Sequence, residues 1–388
     1  MMVSLTELKK HTICHMIIAI TFFSCGLLCN IAQFLLLILV KPFNPTLFRK
    51  LMYYPCYAFY SQLVSVTEWY GGGRVHVYMD SEDLKIAGKD HGLMIMNHTY
   101  EIDWLCLWML LEKLEILGTA KAFAKKPIRY MPVLGWAWWM AEFVFLNRDF
   151  DKDKEIIAKQ LRLVYSYPDP VWVLLTAEGT RFSAAKHEVS VKFAQEKGMT
   201  PLKHHLIPRT RGFTTSLPTL RGICPAIYDI NLVFKRDSKV PVNLNSILSG
   251  ETVEPYIFIR RIPLEQVPEG EKEAAAWLQN LYIEKDRIVD SFHETGSFFK
   301  TSGIKEVPCT IYNPRISSLI SFAVVGSCSM LSILYYFVAS LLAANWSGLI
   351  TIMTIFVIFF LLLRKANNMS KISKGSTYGV AGGKSKTN

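Results

Sequence analysis

Four short blocks of the chain carry residue types that can do chemistry. The first is Asn97-His98-Thr99-Tyr100-Glu101-Ile102-Asp103-Trp104. A histidine, with an ordinary pKa of about 6.5, can act as a base at neutral pH. Such a base is worth about 10²–10⁴-fold in rate. In a uniform helix, positions five apart point about 140° away from each other, so His98 and Asp103 meet only if the chain turns between them. With Asp103 in the first turn of a helix, its carboxylate can accept from one imidazole nitrogen and leave the other as the base. Spacing alone leaves open a plainer arrangement, an Asp N-cap beside a satisfied histidine.

The second block is Glu178-Gly179-Thr180-Arg181, directly after the apolar run Val171–Thr176. A turn here would expose backbone N–H groups, Gly179 permits positive φ or close backbone approach, and Arg181 supplies a planar fork matched to phosphate oxygens. On its own such a turn is also compatible with a plain loop. The third block, Leu146-Asn147-Arg148-Asp149, follows another short apolar run and has Lys125 and Lys126 upstream. The fourth is Leu206-Ile207-Pro208-Arg209-Thr210-Arg211-Gly212-Phe213. From Arg181 to Arg221 there are eight Lys or Arg against two Glu, so an anionic substrate suits this region. A basic face also suits nucleic acid, but no recognisable nucleic-acid module accompanies it.

The elements that must position these blocks alternate. Gly92–Met96, Phe143–Leu146, Val171–Thr176, Leu206–Pro208, Ile227–Phe234 and Tyr256–Ile259 read as strands. Trp104–Leu117, Lys152–Tyr167, Glu188–Lys197 and Glu271–Asp290 read as helices, with Gly118, Pro168 and Gly198 as stops. Strands separated by helices of this length imply an α/β domain with a mostly parallel sheet. Open sheets of this kind bind ligands at the carboxyl ends of their strands, which is where the blocks fall. The nearly uncharged stretch 131–145, with Trp136, Trp138 and Trp139, reads either as core or as a lipid-facing surface.

Charge and oil are unevenly spread over the 388 residues. The charged fraction is 19% and the hydrophobic fraction 51%, against about 25% charged in ordinary soluble domains. That excludes disordered and collagen-like classes. Ile17 to Val40 is 24 residues without a charge, long enough to span a bilayer, and it is too long for a signal-peptide core of about 7–15 residues. Leu319–Ala344 and Trp346–Leu363 are two further uncharged runs with only Asn345 between them, which reads as a hairpin. Arg364, Lys365, Lys371, Lys374, Lys384 and Lys386 follow with no Asp or Glu. The positive-inside rule places that tail, and hence the large middle region, in the cytosol. Eight cysteines without a C-x-x-C pair fit a reducing compartment and argue against a disulfide framework or a zinc cluster. Lys384 and Lys386 near the terminus resemble a dilysine endoplasmic-reticulum retrieval address. The expected organisation is an anchor over 1–50 with its span near 17–40, a cytosolic domain over 51–315, a membrane hairpin over 316–363 and a basic tail over 364–388.

In this order the four blocks resemble the glycerolipid acyltransferases. The phrases NHTYEIDW, AEGTRF, KHHLIPRTRGF, YIFIRRIPLE and LYIEKD are most similar to the animal 1-acylglycerol-3-phosphate (lysophosphatidate) acyltransferases of the gamma and delta type, over nearly the whole length. The resemblance implies that His98 deprotonates the free 2-hydroxyl of lysophosphatidate while Asp103 orients it, and that the alkoxide attacks the thioester of acyl-CoA. Acyl-CoA is then a co-substrate, and no cofactor or metal is implied. It further implies that Glu178, Gly179, Thr180 and Arg181 bind the lysophosphatidate phosphate, that Arg148 serves the glycerol-phosphate side, and that Asn97, Lys125 and Pro208 support the site. Membrane phospholipid is the surroundings, and no nucleic-acid partner is expected. Two departures from the family pattern stand out. Ala177 occupies a position that is Pro in many members, and Leu146-Asn147-Arg148 replaces a frequent Ile-Asp-Arg. Another lysophospholipid acceptor, or a non-catalytic role in shaping membranes, are the competing readings.

Overall fold

A computed structural model describes residues 5–147, 149–354, 357 and 361. Arg148 and the basic tail 364–388 therefore lie outside the described residues. The chain begins with a short helix α1 (Leu5–Lys9), followed by α2 (Thr12–Leu39) and α3 (Pro45–Ser65). His11 caps α2 through its side chain, and Asn44 caps α3 with Pro45 in the first turn, where a missing N–H costs nothing. Past these lie β1 (Val75–Tyr78), α4 (Ser81–Ile86), β2 (Gly92–Met96), α5 (Asp103–Lys113), β3 (Lys121–Lys125), α6 (Leu134–Met140), β4 (Val144–Leu146) and α7 (Phe150–Val164). Then come β5 (Trp172–Leu175), α8 (Ala184–Glu196), α9 (Thr210–Leu220), β6 (Ala226–Val233), α10 (Leu244–Leu248) and β7 (Tyr256–Pro263). Helix α11 (Glu271–Thr295) ends on Gly296, whose φ of 72° makes the left-handed cap that glycine favours. Strand β8 (Cys309–Tyr312) and helix α12 (Ile316–Leu342) complete the described order, with a further helical stretch over 346–354.

The strands form one sheet in the order β4-β3-β5-β2-β6-β7-β1-β8. The first five are mutually parallel, β6 and β7 pair antiparallel, β7 and β1 pair parallel, and β8 closes the edge antiparallel. The mixed α/β sheet, mostly parallel, is as expected. Alternate residues of β2 divide between two cores, as the period-two geometry of a strand requires. Met94 and Met96 join Phe59, Tyr60 and Trp108 under α3 and α5, while Leu93 and Ile95 join Ile157, Phe213 and Tyr282 under α7, α9 and α11. The centre of the sheet is buried on both faces, and β2 and β5 read as unbroken apolar runs for that reason.

Several expectations need correcting. Residues 206–208 form no strand: the Leu206 N–H goes to Glu178 and the Ile207 N–H to the Ser190 hydroxyl, so side chains take the amides a ladder would use. The helix expected to reach Leu117 stops at Lys113, because Glu115 sits at φ 64° and reverses the chain before Gly118. The boundary at 50/51 falls inside α3, which packs along α2 on one side and against the sheet layer on the other. The stretch 131–145 is core in part and surface in part. Val133 and Ala137 are fully buried, while Trp136 and Trp139 are 38% and 41% exposed.

Helices α2 and α12 are each long and apolar enough to cross a membrane. Both ends of the α1–α2 segment touch the domain. At one end Lys9 Nζ donates to the Tyr70 carbonyl at 2.6 Å and the His15 ring meets Ser249 Oγ at 3.3 Å; at the other Lys41 and Arg49 pair with Glu142 at 2.8 and 3.1 Å. Among the described residues helix α12 meets this layer over its first half, through Ser321 on Ser61 and Ser329 on Ser24, and in its second half Leu331, Leu334, Tyr335, Leu341 and Leu342 are exposed. Asn345 makes the tight turn, its side chain accepting from the Gly348 N–H at 3.0 Å. All eight cysteines are free.

Candidate active site

The carboxyl ends of the parallel strands carry the blocks singled out above. Strand β2 delivers Asn97 and His98, β5 delivers Glu178 to Arg181, β3 ends on Lys125, and β4 leads to Asn147. Asn97 extends the ladder past the end of β2. Its amide donates to the Leu232 carbonyl at 2.9 Å and accepts from the Leu232 N–H at 2.8 Å, so the side chain does the work of one more strand residue. This fixes where the chain leaves the sheet and turns.

Asp103 occupies the first position of α5 and is 2% exposed. Its carboxylate accepts the Tyr100 N–H at 3.0 and 3.1 Å and meets His98 Nδ1 at 3.0 Å. The turn and the imidazole share one carboxylate, and Asp103 is not the helix cap: Ile102 holds that position, with no side-chain cap bond. Burial pushes the Asp103 carboxyl above its ordinary range, opposed by the His98 contact and the backbone amides. With Nδ1 committed to Asp103, the tautomer that leaves Nε2 as acceptor is favoured. The His98 side chain is 31% exposed, and among the described residues no hydrogen bond to Nε2 is present. An imidazole held in this way can accept a proton from a group that approaches from outside.

The second block is laced to the first. The His98 N–H donates to Glu178 Oε1 at 3.0 Å, the Phe182 N–H to the His98 carbonyl at 2.7 Å, and the Leu206 N–H to Glu178 Oε2 at 3.2 Å. Glu178 is 1% exposed, and burial pushes its carboxyl up to about 8 against those two amides. Both carboxylate oxygens are engaged, so the expected phosphate contact by Glu178 is not what the geometry provides. Gly179 has the positive φ its motif predicts, 70°, and the Arg209 side chain lies against it. Thr180 Oγ1 accepts from Lys186 Nζ at 2.6 Å, and Arg181 is exposed.

A cavity of about 100 Å³ lies beside this turn, lined by Lys125, Leu146, Gly179, Arg209 and Gly212. Lys125 and Arg209 give it two positive groups, and burial lowers the Arg209 pKa. Arg209 stood in the fourth block as one of its basic residues, with no role of its own; its place in this cavity comes from the structure. Pro208 is buried at the entry to α9 and shapes the loop without reaching this cavity. The loop around position 148 is gripped by the buried Asp153, which accepts from Asn147 N–H at 2.8 Å, its side-chain amide at 2.9 Å, and the Asp149 N–H at 3.2 Å. Arg129 stacks on Trp139 at 4.8 Å, and Tyr130 and Trp136 are exposed nearby in sequence, a basic and aromatic border of the type found at lipid headgroups.

A half-buried histidine held by a buried aspartate, with one imidazole nitrogen open, thus lies at the same strand ends as a small basic cavity. A family described as Acyltransferase matches residues 76–213, and one described as Acyltransferase C-terminus matches 246–325. The chain is 36% identical over 372 residues to 1-acyl-sn-glycerol-3-phosphate acyltransferase delta of Mus musculus, covering 96% of each. It is 37% identical over 380 residues to the gamma form of Homo sapiens, covering 97% of each. The crystal structure of PlsC, the 1-acyl-sn-glycerophosphate acyltransferase of Thermotoga maritima, aligns over 74% of this chain and 98% of that one at 13% identity, with a TM-score of 0.43. This chain belongs to the acyltransferase family, in the group of the 1-acyl-sn-glycerol-3-phosphate acyltransferases of the gamma and delta type.

Proposed function

We propose that the chain transfers a fatty acyl group from acyl-CoA to the sn-2 hydroxyl of 1-acylglycerol 3-phosphate, giving phosphatidate and CoA. The observation that carries this reading is the His98–Asp103 contact of 3.0 Å with Nε2 open at the strand ends. His98 Nε2 takes the hydroxyl proton, the oxygen attacks the thioester carbonyl, the C–S bond breaks, and the imidazolium returns its proton to the CoA sulfur. Asp103 holds the ring and balances its charge while it is protonated. Lys125, Arg209 and the outward Arg181 form the positive surroundings for the acceptor's phosphate, with Gly179 allowing close approach. The names of the gamma and delta relatives point to the same acceptor.

The reading includes a place. The domain and the basic tail face the cytosol at the endoplasmic-reticulum membrane, held there by the apolar surface of α2 and by the hairpin that starts with α12. Substrate tails then enter from the leaflet past Trp136 and Trp139, and the phosphates stay with the basic groups at the surface.

The test is CoA-thiol release by detergent-purified protein given acyl-CoA and a panel of lysophospholipids. Lysophosphatidate is expected to be the acceptor with the highest kcat/KM, and His98→Ala to lower kcat by about 10²–10⁴-fold with the melting temperature retained. Release that is indifferent to His98→Ala would remove the base from the reaction. Faster turnover of another headgroup would replace the acceptor.

A further inference from the structure

Behind the catalytic edge lies a set of buried charges that the proton-transfer steps do not use. Lys285 on α11 is fully buried, and its ammonium donates to Asp229 Oδ1 at 2.6 Å, the Ile230 carbonyl at 2.7 Å and the Ile95 carbonyl at 3.3 Å. Those carbonyls belong to β6 and β2, and Ile95 lies three residues before His98. Arg260 completes the charge balance, with Nη2 on Asp229 at 2.8 Å and Nη1 on Glu284 at 2.6 Å.

The next residue of α11, Asp286, grips the loop on the other side. Its carboxylate accepts the N–H of Lys203 at 2.8 Å and of His204 at 2.7 Å, and meets His205 Nδ1 at 3.0 Å. The loop so fixed continues to Leu206, whose N–H is held by Glu178 Oε2, and Glu178 Oε1 holds the N–H of His98. A continuous run of hydrogen bonds thus joins α11 to the main chain of the catalytic histidine.

We propose that Glu178, Lys285 and Asp286 are positioning residues that set the backbone of His98, and that Glu178 is not a ligand of substrate phosphate. Two arguments carry it. A carboxyl group that is 1% exposed, with both oxygens taken by backbone donors, is out of reach of a phosphate. Buried ion pairs rarely out-stabilise well-packed apolar groups of similar volume, so this set is explained by the geometry it enforces. The imidazole is then held twice, at its ring by Asp103 and at its main chain by Glu178. A displacement of about 1 Å at such a site costs on the order of 10²-fold in rate. The proposal rests on the acyl-transfer reading above.

The experiment compares wild type, Glu178→Gln and Asp286→Asn at full length, with lysophosphatidate and acyl-CoA, recording kcat, KM, the kcat–pH profile and the melting temperature. The carboxamides keep size but turn one acceptor of each group into a donor facing an N–H. The expected result is a fall in kcat of about 10–100-fold for Glu178→Gln. A smaller fall is expected for Asp286→Asn. Both should keep the lysophosphatidate KM within twofold and displace the acid limb of the kcat–pH profile. A rise in KM at preserved kcat would make Glu178 a substrate ligand and overturn the proposal. A loss of kcat that tracks the melting temperature, with an undisplaced profile, would reduce these residues to scaffold and overturn it as well. If wild type releases no CoA with any acceptor, it is the acyl-transfer reading that falls.

Discussion

At the scale of single residues, side chains in one motif divide between binding and bracing. Glu178 faces inward with both oxygens occupied, whereas Arg181, three positions on, is exposed and makes no ion pair among the described residues. Arg181→Ala is therefore expected to act on binding. Loss of a charge-assisted contact is worth about 1.5–3 kcal/mol, so the lysophosphatidate KM should rise about tenfold or more. Stability should stay within about 0.5 kcal/mol, as for other surface changes. Steady-state kinetics beside a thermal melt checks both, and an equal loss of folding would make Arg181 structural. The His98–Asp103 pair was legible because the five-residue spacing demands a turn and the residue types supply a purpose for it. The role of Glu178 was not legible, because a motif reports residue types and not which atoms the backbone has already engaged. Arg209 was named only as part of a basic run for a related reason: its closeness to Gly179 depends on a loop that side chains hold, which periodicity does not reveal.

At the scale of elements, long and strongly patterned segments declared themselves and short mixed ones did not. Strands β2 and β5 are unbroken apolar runs and helix α7 ends ahead of Pro168, so their positions followed from composition, whereas α11 runs five residues past the expected Asp290. Strands β1, β3 and β8 have four, five and four residues with polar members, and become strands only because neighbours supply the ladder. Helix α11 also carries a pH dependence. Burial, with Arg236 and His204 nearby, pushes His293 down to about 4, and its Nδ1 has no hydrogen bond among the described residues. The folded chain keeps this ring neutral while the unfolded chain protonates it near the ordinary value of about 6.5. Its contribution to stability is present above about 6.5 and is lost as pH falls toward 4. Melting temperatures measured between pH 7 and 4 should decline along this window, and His293→Gln should flatten that part of the decline. A slope unchanged by the substitution would assign it to other groups.

At the scale of the whole molecule, the apolar ends were legible as lengths but not as packing. Helix α2 was expected as an anchor, and it is also packed on the domain: residues on either side of it are fastened to Tyr70 and Glu142, and its inner face (Cys25, Gly26, Cys29, Gln33) is buried beside Phe59 and Val133. Sequence shows that a helix is oily and not which of its faces meets protein. Such a helix is a wall of the enzyme as well as its attachment. Trimming the gene to start at Pro45, the usual route to a soluble fragment, would strip that wall and lay bare fully buried Phe59 and Val133. The shortened product is expected to precipitate or stay with detergent micelles, and to melt lower than the complete chain. Recovering it as a stable monomer in plain buffer would mean the leading helix is dispensable after all.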